Sequence, residues 1–145
     1  MPISILDFAD LARRHVQAER DMDMDALMAT LDPVPHYEFH PLGFKLSGAA
    51  NVRDMYQQFL TRRRDMASAG LEQYVRTQML TESGFIEEYG GTWTNPDGST
   101  EMEGLVSLMA VGKGRIEGER VYTSERMLRM LWGDAFFDHV KSLQS

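Results

Sequence analysis

The chain has 145 residues and a mass of 16.5 kDa, with 43% hydrophobic and 26% charged residues, as expected for one globular domain spanning 1–145. A formal charge of −7 and a pI near 5.0 argue against nucleic-acid partners, and the absence of cysteine excludes disulfides and thiolate chemistry. Because the sequence has neither a signal pattern nor an apolar run of membrane-spanning length, we expect a cytoplasmic protein with no membrane partner.

The first forty residues predict two helices and a strand. Apolar residues recur at helical spacing over 3–20, and a second apolar run ends at Leu31. Pro33 and Pro35 are expected to end the second helix, because proline cannot donate to the helical ladder. Residues 36–40 then predict a strand that stops at the following proline.

A third helix and four strands are predicted next. The helix covers 49–66, with a buried stripe of Val52, Met55, Tyr56, Phe59 and Leu60. Segments rich in β-branched and aromatic residues, separated by turn signals, predict strands at 73–81, 84–94, 100–110 and 115–123. The segment after Ser124 combines a helical pattern at 127–131 with Trp132, Phe136, Phe137 and Val140, and its apolar surface is expected to pack against the domain or a partner subunit. Three helices followed by a meandering sheet predict an α+β fold.

Several short motifs follow one another in the first half of the chain: Arg14-His15-Val16-x-Ala18, Asp23-x-Asp25, His40-Pro41-Leu42-Gly43, Ser47-Gly48 and Arg53-Asp54-Met55-Tyr56. In this order, and over about 11–122, the chain resembles the NTF2-like superfamily in its ketosteroid isomerase and SnoaL-like polyketide cyclase branch. The resemblance implies a cone in which three N-terminal helices pack on a strongly curved mixed β-sheet and enclose a mostly apolar pocket for polyketide- or steroid-like molecules. It also implies a homodimer formed through the sheet.

The same resemblance suggests catalytic residues. It places His15 where the isomerases hold an oxyanion-binding tyrosine, His40 where their aspartate base precedes a proline, and Tyr56 at a supporting tyrosine. A neutral imidazole in a dry cavity can abstract a proton next to a carbonyl, so His40 is the candidate base. His15 would then stabilise the enolate oxygen, and Glu19, one helical turn later, would orient its ring.

Two positions depart from the family pattern. The second acid of the isomerases has only Leu105, Val106 and Ser107 as counterparts, and Ser124 stands where the cyclases have an aspartate. The histidine chemistry of His40 and His15 supports the leading hypothesis, a cofactor-independent isomerase, dehydratase or cyclase acting on a hydrophobic carbonyl compound. The alternative is a non-catalytic ligand-binding or dimeric assembly module, in which His15 is a hydrogen-bonded core residue and His40 ends a strand.

Other residues are expected to line the pocket: Glu19, Phe59, Tyr89, Trp93, Met102 and Met109. About half of the side chains on a strand point to the opposite face, so this expectation depends on the register of each strand. No metal site is expected. His36 and His40 have the spacing of helical zinc ligands, but on a strand this spacing spans about 13 Å, too far for zinc–nitrogen bonds of about 2 Å.

Overall fold

Five helices and six strands make up residues 4–66 and 70–145, which the computed structural model describes. The helices are α1 (Ile5–Asp21), α2 (Met24–Thr30), α3 (Ala49–Met66), α4 (Glu125–Trp132) and α5 (Asp134–Ser142). The strands are β1 (Leu31–His40), β2 (Phe44–Ser47), β3 (Leu71–Thr81), β4 (Gly84–Thr94), β5 (Thr100–Val111) and β6 (Ile116–Thr123). None of the described helices is long and apolar enough to cross a membrane.

The six strands form one mixed sheet in the order β2-β1-β6-β5-β4-β3. β1 and β6 are parallel, and every other neighbouring pair is antiparallel. One face of the sheet packs on the helices through buried side chains such as Tyr37, Phe39, Met109 and Val121. This arrangement confirms the predicted α+β class with a mixed sheet.

The C-terminal segment forms two helices, of which the pattern at 127–131 predicted only α4. The described residues therefore contain five helices. Ser124 caps α4 by accepting from the backbone N–H of Met127, and Gly133 separates α4 from α5 with a φ of 80°. Together the two helices bury Met127, Leu128, Leu131, Trp132, Phe137 and Val140. The expected packing of this apolar segment against the domain is confirmed.

Strand β1 begins earlier than predicted, because Pro33 and Pro35 lie inside it. Its pairing with β6 passes directly from Leu31 to His36, so both prolines lie in a stretch that has no ladder partner on β6. The sequence pattern also missed the short strand β2, which pairs with the second half of β1 through a tight turn closed at Gly43.

Gly118 allows β1 and β6 to lie side by side where the site is built. Its φ is +149°, and a β-carbon there would lie 1.7 Å from the carbonyl oxygen of His36. Only glycine fits so close an approach. The next pair in this register is Tyr37 and Glu119, and both side chains belong to the site described below.

Candidate active site

A cavity of about 110 Å³ lies between the inner face of the sheet and helices α1, α3 and α4. We call this cavity the chamber. Its apolar wall includes Phe39, Met55, Phe59, Leu105, Met109 and Trp132, and its polar wall includes Glu19, Tyr37, Tyr56, Glu87, Ser107 and Glu119. Gln73, which is exposed, and the half-buried Arg63 mark its opening. An apolar wall with a few converging polar groups is typical of small-molecule sites.

His15 lies behind the chamber wall, fully buried and hydrogen-bonded at both ring nitrogens. The Thr30 hydroxyl donates to the Leu27 carbonyl over 2.6 Å, so its oxygen accepts from Nδ1 of His15, 2.7 Å away. This bond fixes the proton on Nδ1. The other nitrogen, Nε2, lies 3.1 Å from the Tyr56 hydroxyl and 3.5 Å from the Glu19 carboxylate.

The charge of His15 sets the direction of the hydrogen bonds in the chamber. The hydroxyls of Tyr37 and Tyr56 lie 2.8 Å apart, so the two tyrosines and Nε2 of His15 form one row of hydrogen bonds. A neutral imidazole accepts from Tyr56, which leaves the Tyr56 proton committed to His15. An imidazolium donates to Tyr56 instead, and Glu19 provides the opposite charge. Only the imidazolium form leaves the Tyr56 proton free for a ligand oxygen.

Both tyrosines keep their protons across the physiological range. Burial raises the pKa of Tyr37 and of Tyr56 well above the usual value near 10, and the charges of Glu119 and Glu19 act in the same direction. Burial likewise raises the pKa of Tyr89, which lies beside the Glu87 carboxylate. The chamber therefore contains three phenol groups that remain donors.

Glu119 is the titratable group best suited to proton transfer in the chamber. Burial in the wall, together with the nearby charge of Glu19, raises its pKa to about 7. The Ser107 hydroxyl donates to Oε1 of Glu119, and this bond together with the His15 charge opposes the shift. A carboxyl with this pKa exists in both protonation states near neutral pH.

Glu87 is a second buried carboxylate on the sheet side of the chamber. Its Oε1 accepts from Nε2 of Gln78 on the neighbouring strand, at 2.7 Å. Its charge also contributes to the raised pKa of Glu119. Among the described residues, no group of three or more histidine, aspartate or glutamate side chains is placed to hold a metal ion.

The structure does not bring His40 into the chamber. Tyr37 and Phe39 point inward from β1, so the alternation of the strand turns Glu38 and His40 to the outer face. There, the His40 ring stacks on Tyr122 with centroids 4.9 Å apart, and its Nε2 lies 3.1 Å from Glu38. Neither histidine lines the chamber, because His15 lies behind its wall and His40 lies on the outer face of the sheet. The predictions of His40 as the base and of His15 as the group that contacts the enolate oxygen are therefore corrected.

Some of the other predicted site residues lie in the chamber wall, and others lie outside it. Four residues that were expected to line the pocket lie in the chamber wall: Glu19, Phe59, Tyr89 and Met109. Tyr56, predicted as a supporting tyrosine, also lies in this wall.

Trp93 and Met102 are not in the wall and correct the expected set. The Trp93 ring lies beneath the Arg126 guanidinium, 5.5 Å from the ring centroid, and Met102 is 72% exposed. Both residues lie near the end of the β4–β5 pair, where Trp93 is opposite Glu101 and Met102 is opposite Thr92. The prediction that Trp93 and Met102 lie on strands was not enough to show where along the strands they lie.

Sequence reasoning missed Glu119 because a bulge changes the face on which β6 side chains lie. Ala110 pairs with Gly118 and Val111 with Ile116, which leaves Glu117 as the extra residue. Counting alternate residues from Ile116 therefore places Glu119 outside, whereas counting back from Val121 places it inside. The available signal was the glycine, since an isolated glycine in a strand often marks a bulge.

Comparison with known proteins identifies the fold. No family model matches the sequence, and no curated protein matches it. Among solved structures, Bal32a from a soil-derived mobile gene cassette superposes with a TM-score of 0.62 at 13% identity, covering 87% of this chain and 96% of Bal32a. An NTF2-like protein of unknown function from Cytophaga hutchinsonii gives 0.61 at 13% identity, covering 81% and 99%.

The chain has the NTF2-like fold. Two other solved structures that superpose on this chain have more specific names. A protein from Kribbella flavida provisionally named a ketosteroid isomerase gives a TM-score of 0.61 at 15% identity, covering 82% of this chain and 78% of its own. TerC, co-crystallised with polyporic acid, gives 0.57 at 14% identity, covering 86% and 97%. At these identities the similarity defines the fold alone, and it does not distinguish branches of the NTF2-like superfamily.

Proposed function

We propose that this NTF2-like chain is a cofactor-independent acid/base enzyme that isomerises, dehydrates or cyclises a small hydrophobic carbonyl compound. One observation carries the proposal: Glu119, with a pKa of about 7, lines the same chamber as the Tyr56 and Tyr37 hydroxyls. A base that titrates near the working pH both accepts and returns a proton efficiently.

The proposed reaction begins with Glu119 as a carboxylate. It removes a proton from the carbon next to the substrate carbonyl, and the electron pair of the broken C–H bond moves to form an enolate. The Tyr56 hydroxyl donates to the enolate oxygen. This donation requires Nε2 of His15 to carry a proton and to donate to the Tyr56 oxygen, 3.1 Å away, with the Glu19 carboxylate 3.5 Å from the same nitrogen.

In a β,γ-unsaturated substrate, protonated Glu119 then returns its proton to the γ-carbon, and the double bond moves into conjugation, which completes an isomerisation. In a β-hydroxy substrate the enolate pair forms the Cα=Cβ bond and the hydroxyl leaves as water with the Glu119 proton, which completes a dehydration. In a substrate with a second carbonyl, the enolate carbon attacks that carbonyl and Glu119 protonates the alkoxide that forms, which completes a cyclisation.

The size of the chamber limits the substrate. A cavity of about 150 Å³ holds one benzene molecule, and the chamber measures about 110 Å³. A whole steroid or polyketide does not fit this volume. We therefore propose a compact carbonyl compound, or a longer one that places only its reacting end inside and leaves the rest near Arg63 and Gln73 at the opening.

The fold neighbours support this class of reaction without establishing it. One is provisionally named a ketosteroid isomerase, and another was crystallised with polyporic acid. A non-catalytic binding module with the same chamber is the alternative. Pairing of two chains through the outer sheet face, where Met102, Val106 and Tyr122 are exposed, suits both functions and does not separate them.

Exchange of carbon-bound protons in small ketones tests the proposal without knowledge of the natural substrate. Wild-type protein in D₂O is expected to accelerate α-proton exchange in a panel of small ketones, followed by NMR. Tyr56→Phe should lower this acceleration about ten- to a hundredfold, because it removes one oxyanion donor while Tyr37 remains. Tyr122→Phe, which removes a hydroxyl from the outer face, is the matched control and should exchange at the wild-type rate.

Two outcomes would overturn the enzymatic proposal. One is exchange by the wild-type protein no faster than in buffer for every ketone, with ligand-induced NMR shifts in the chamber. This result would favour the binding module. The other is equal loss of exchange in Tyr56→Phe and Tyr122→Phe.

A further inference from the structure

A second cavity, of about 290 Å³, lies between α1 and the hairpin formed by β3 and β4. We call it the cleft. Six of its lining residues lie on one side of α1: Ala9, Ala12, Arg13, Val16, Gln17 and Arg20. The hairpin adds Gln78, Leu80 and Phe85. Its volume is close to the lower end of the range for small-molecule sites.

The floor of the cleft is apolar and only partly covered by the protein. Val16 and Phe85 are half-buried, and Leu80 is 38% exposed. The apolar α1 residues of the cleft, Ala9, Ala12 and Val16, follow helical spacing, so they form an apolar stripe at the edge of the helix face that enters the core. This stripe faces the hairpin across open space, and an apolar ligand chain would remove it from water.

Two arginines give the cleft a positive edge in a chain whose formal charge is −7. Arg13 and Arg20 are seven residues apart on α1, or about two helical turns. Arg13 lies 2.8 Å from Asp10, but Asp10 also binds Arg14 at 2.9 Å and so balances only one of the two charges. Within the described residues, Arg20 forms no ion pair.

The cleft adjoins the chamber but is separate from it. Gln78, in the cleft, donates to Glu87, in the chamber, over 2.7 Å. Phe85, in the cleft, is opposite Met109, in the chamber, across the β4–β5 pair. One layer of side chains therefore divides the two cavities, and occupancy of each is measurable separately.

We propose that the cleft is a second ligand site, which binds an amphipathic monocarboxylate of medium chain length. Its carboxylate pairs with Arg13 and Arg20, whose guanidinium groups suit carboxylate oxygens. Its alkyl chain covers Val16, Leu80 and Phe85. This site does not depend on the reaction proposed for the chamber.

Octanoate and octan-1-ol form a matched pair of probes, because they share a chain length and differ in charge. Amide NMR titrations of the wild-type protein at low salt are expected to give octanoate at least fivefold tighter binding, with the largest shifts in α1 and the β3–β4 hairpin. The double variant Arg13→Gln/Arg20→Gln should weaken octanoate binding about tenfold and leave octan-1-ol binding unchanged. Arg14→Gln is the control, since Arg14 shares Asp10 but does not line the cleft.

Three results would overturn the cleft proposal. The first is equal affinity for the two probes. The second is an equal loss of octanoate affinity in Arg14→Gln and in the double variant, which would indicate general charge attraction. The third is octanoate shifts centred on Tyr56 and Glu119, which would place the ligand in the chamber. None of these results bears on ketone exchange, so this proposal and the proposed enzymatic function fail independently.

Discussion

Replacing Glu119 by glutamine is expected to slow α-proton exchange in small ketones by about a hundred- to ten-thousandfold, the usual contribution of a general base. Glutamine keeps the size of the side chain and can still accept from the Ser107 hydroxyl, but it cannot take a proton from carbon. The variant should still bind ketones, since the apolar wall of the chamber is unchanged. The measurement is the exchange rate at saturating ketone, followed by NMR in D₂O.

Glu117→Gln is the matched control for this experiment. Glu117 lies two residues away on the same strand, is exposed, and does not line the chamber. It should exchange protons at the wild-type rate. If Glu119→Gln retained wild-type exchange, or if both variants lost it equally, Glu119 would not be the base.

The stability of the protein is expected to fall between about pH 4.5 and pH 7 because of Glu119. Its pKa is about 7 in the folded chain against an ordinary 4.5, so in this interval the folded state keeps a proton that the unfolded state releases. The stabilising contribution of Glu119 to the free energy of unfolding is fully present below the ordinary pKa and is lost as the pH rises through the pKa of the folded state. At 1.36 kcal/mol per pKa unit, the loss is on the order of 3 kcal/mol.

Urea unfolding of the wild-type protein and Glu119→Gln at pH 4.5, 6 and 8 isolates this effect. The variant should lack the Glu119 contribution, so its free energy of unfolding should rise relative to wild type as the pH increases. Asp10, Asp97 and Glu101 have lowered pKa values, titrate below this interval and cancel in the comparison. A constant difference between the two proteins across the three pH values would contradict the raised pKa.

Most of the fold could be predicted from periodicity and turn chemistry. The three N-terminal helices and the four later strands agree closely with their patterns, because each has a long run of helical or alternating spacing. Strand β2 has only four residues, too few to establish a period. The parallel pairing of β1 with β6 depends on contacts between segments that are far apart in the sequence, which no local pattern contains.

The candidate site was predictable only in part, for the same reason. His15 and Tyr56 occupy regular helices, so their faces follow from helical spacing, and the structure connects them by a hydrogen bond. The faces of His40 and Glu119 depend on strand register instead. A bulge beside Gly118 turns Glu119 inward, while the position of Phe39 in the core leaves His40 outside. The base predicted from the sequence therefore lies outside the chamber, and the base that the structure suggests was not predicted.

Titration of the Glu119 carboxyl carbon by ¹³C NMR measures the pKa on which the proposed reaction depends. Its resonance is assigned by its absence from the spectrum of Glu119→Gln, and its chemical shift is followed from pH 3 to pH 9 in the folded protein. We predict a midpoint of about 7, with the proton held by a carboxyl in the chamber wall. A midpoint near the ordinary value of 4.5 would contradict the role of Glu119 as the base, since Glu119 would then lack the proton affinity that the proposed reaction requires.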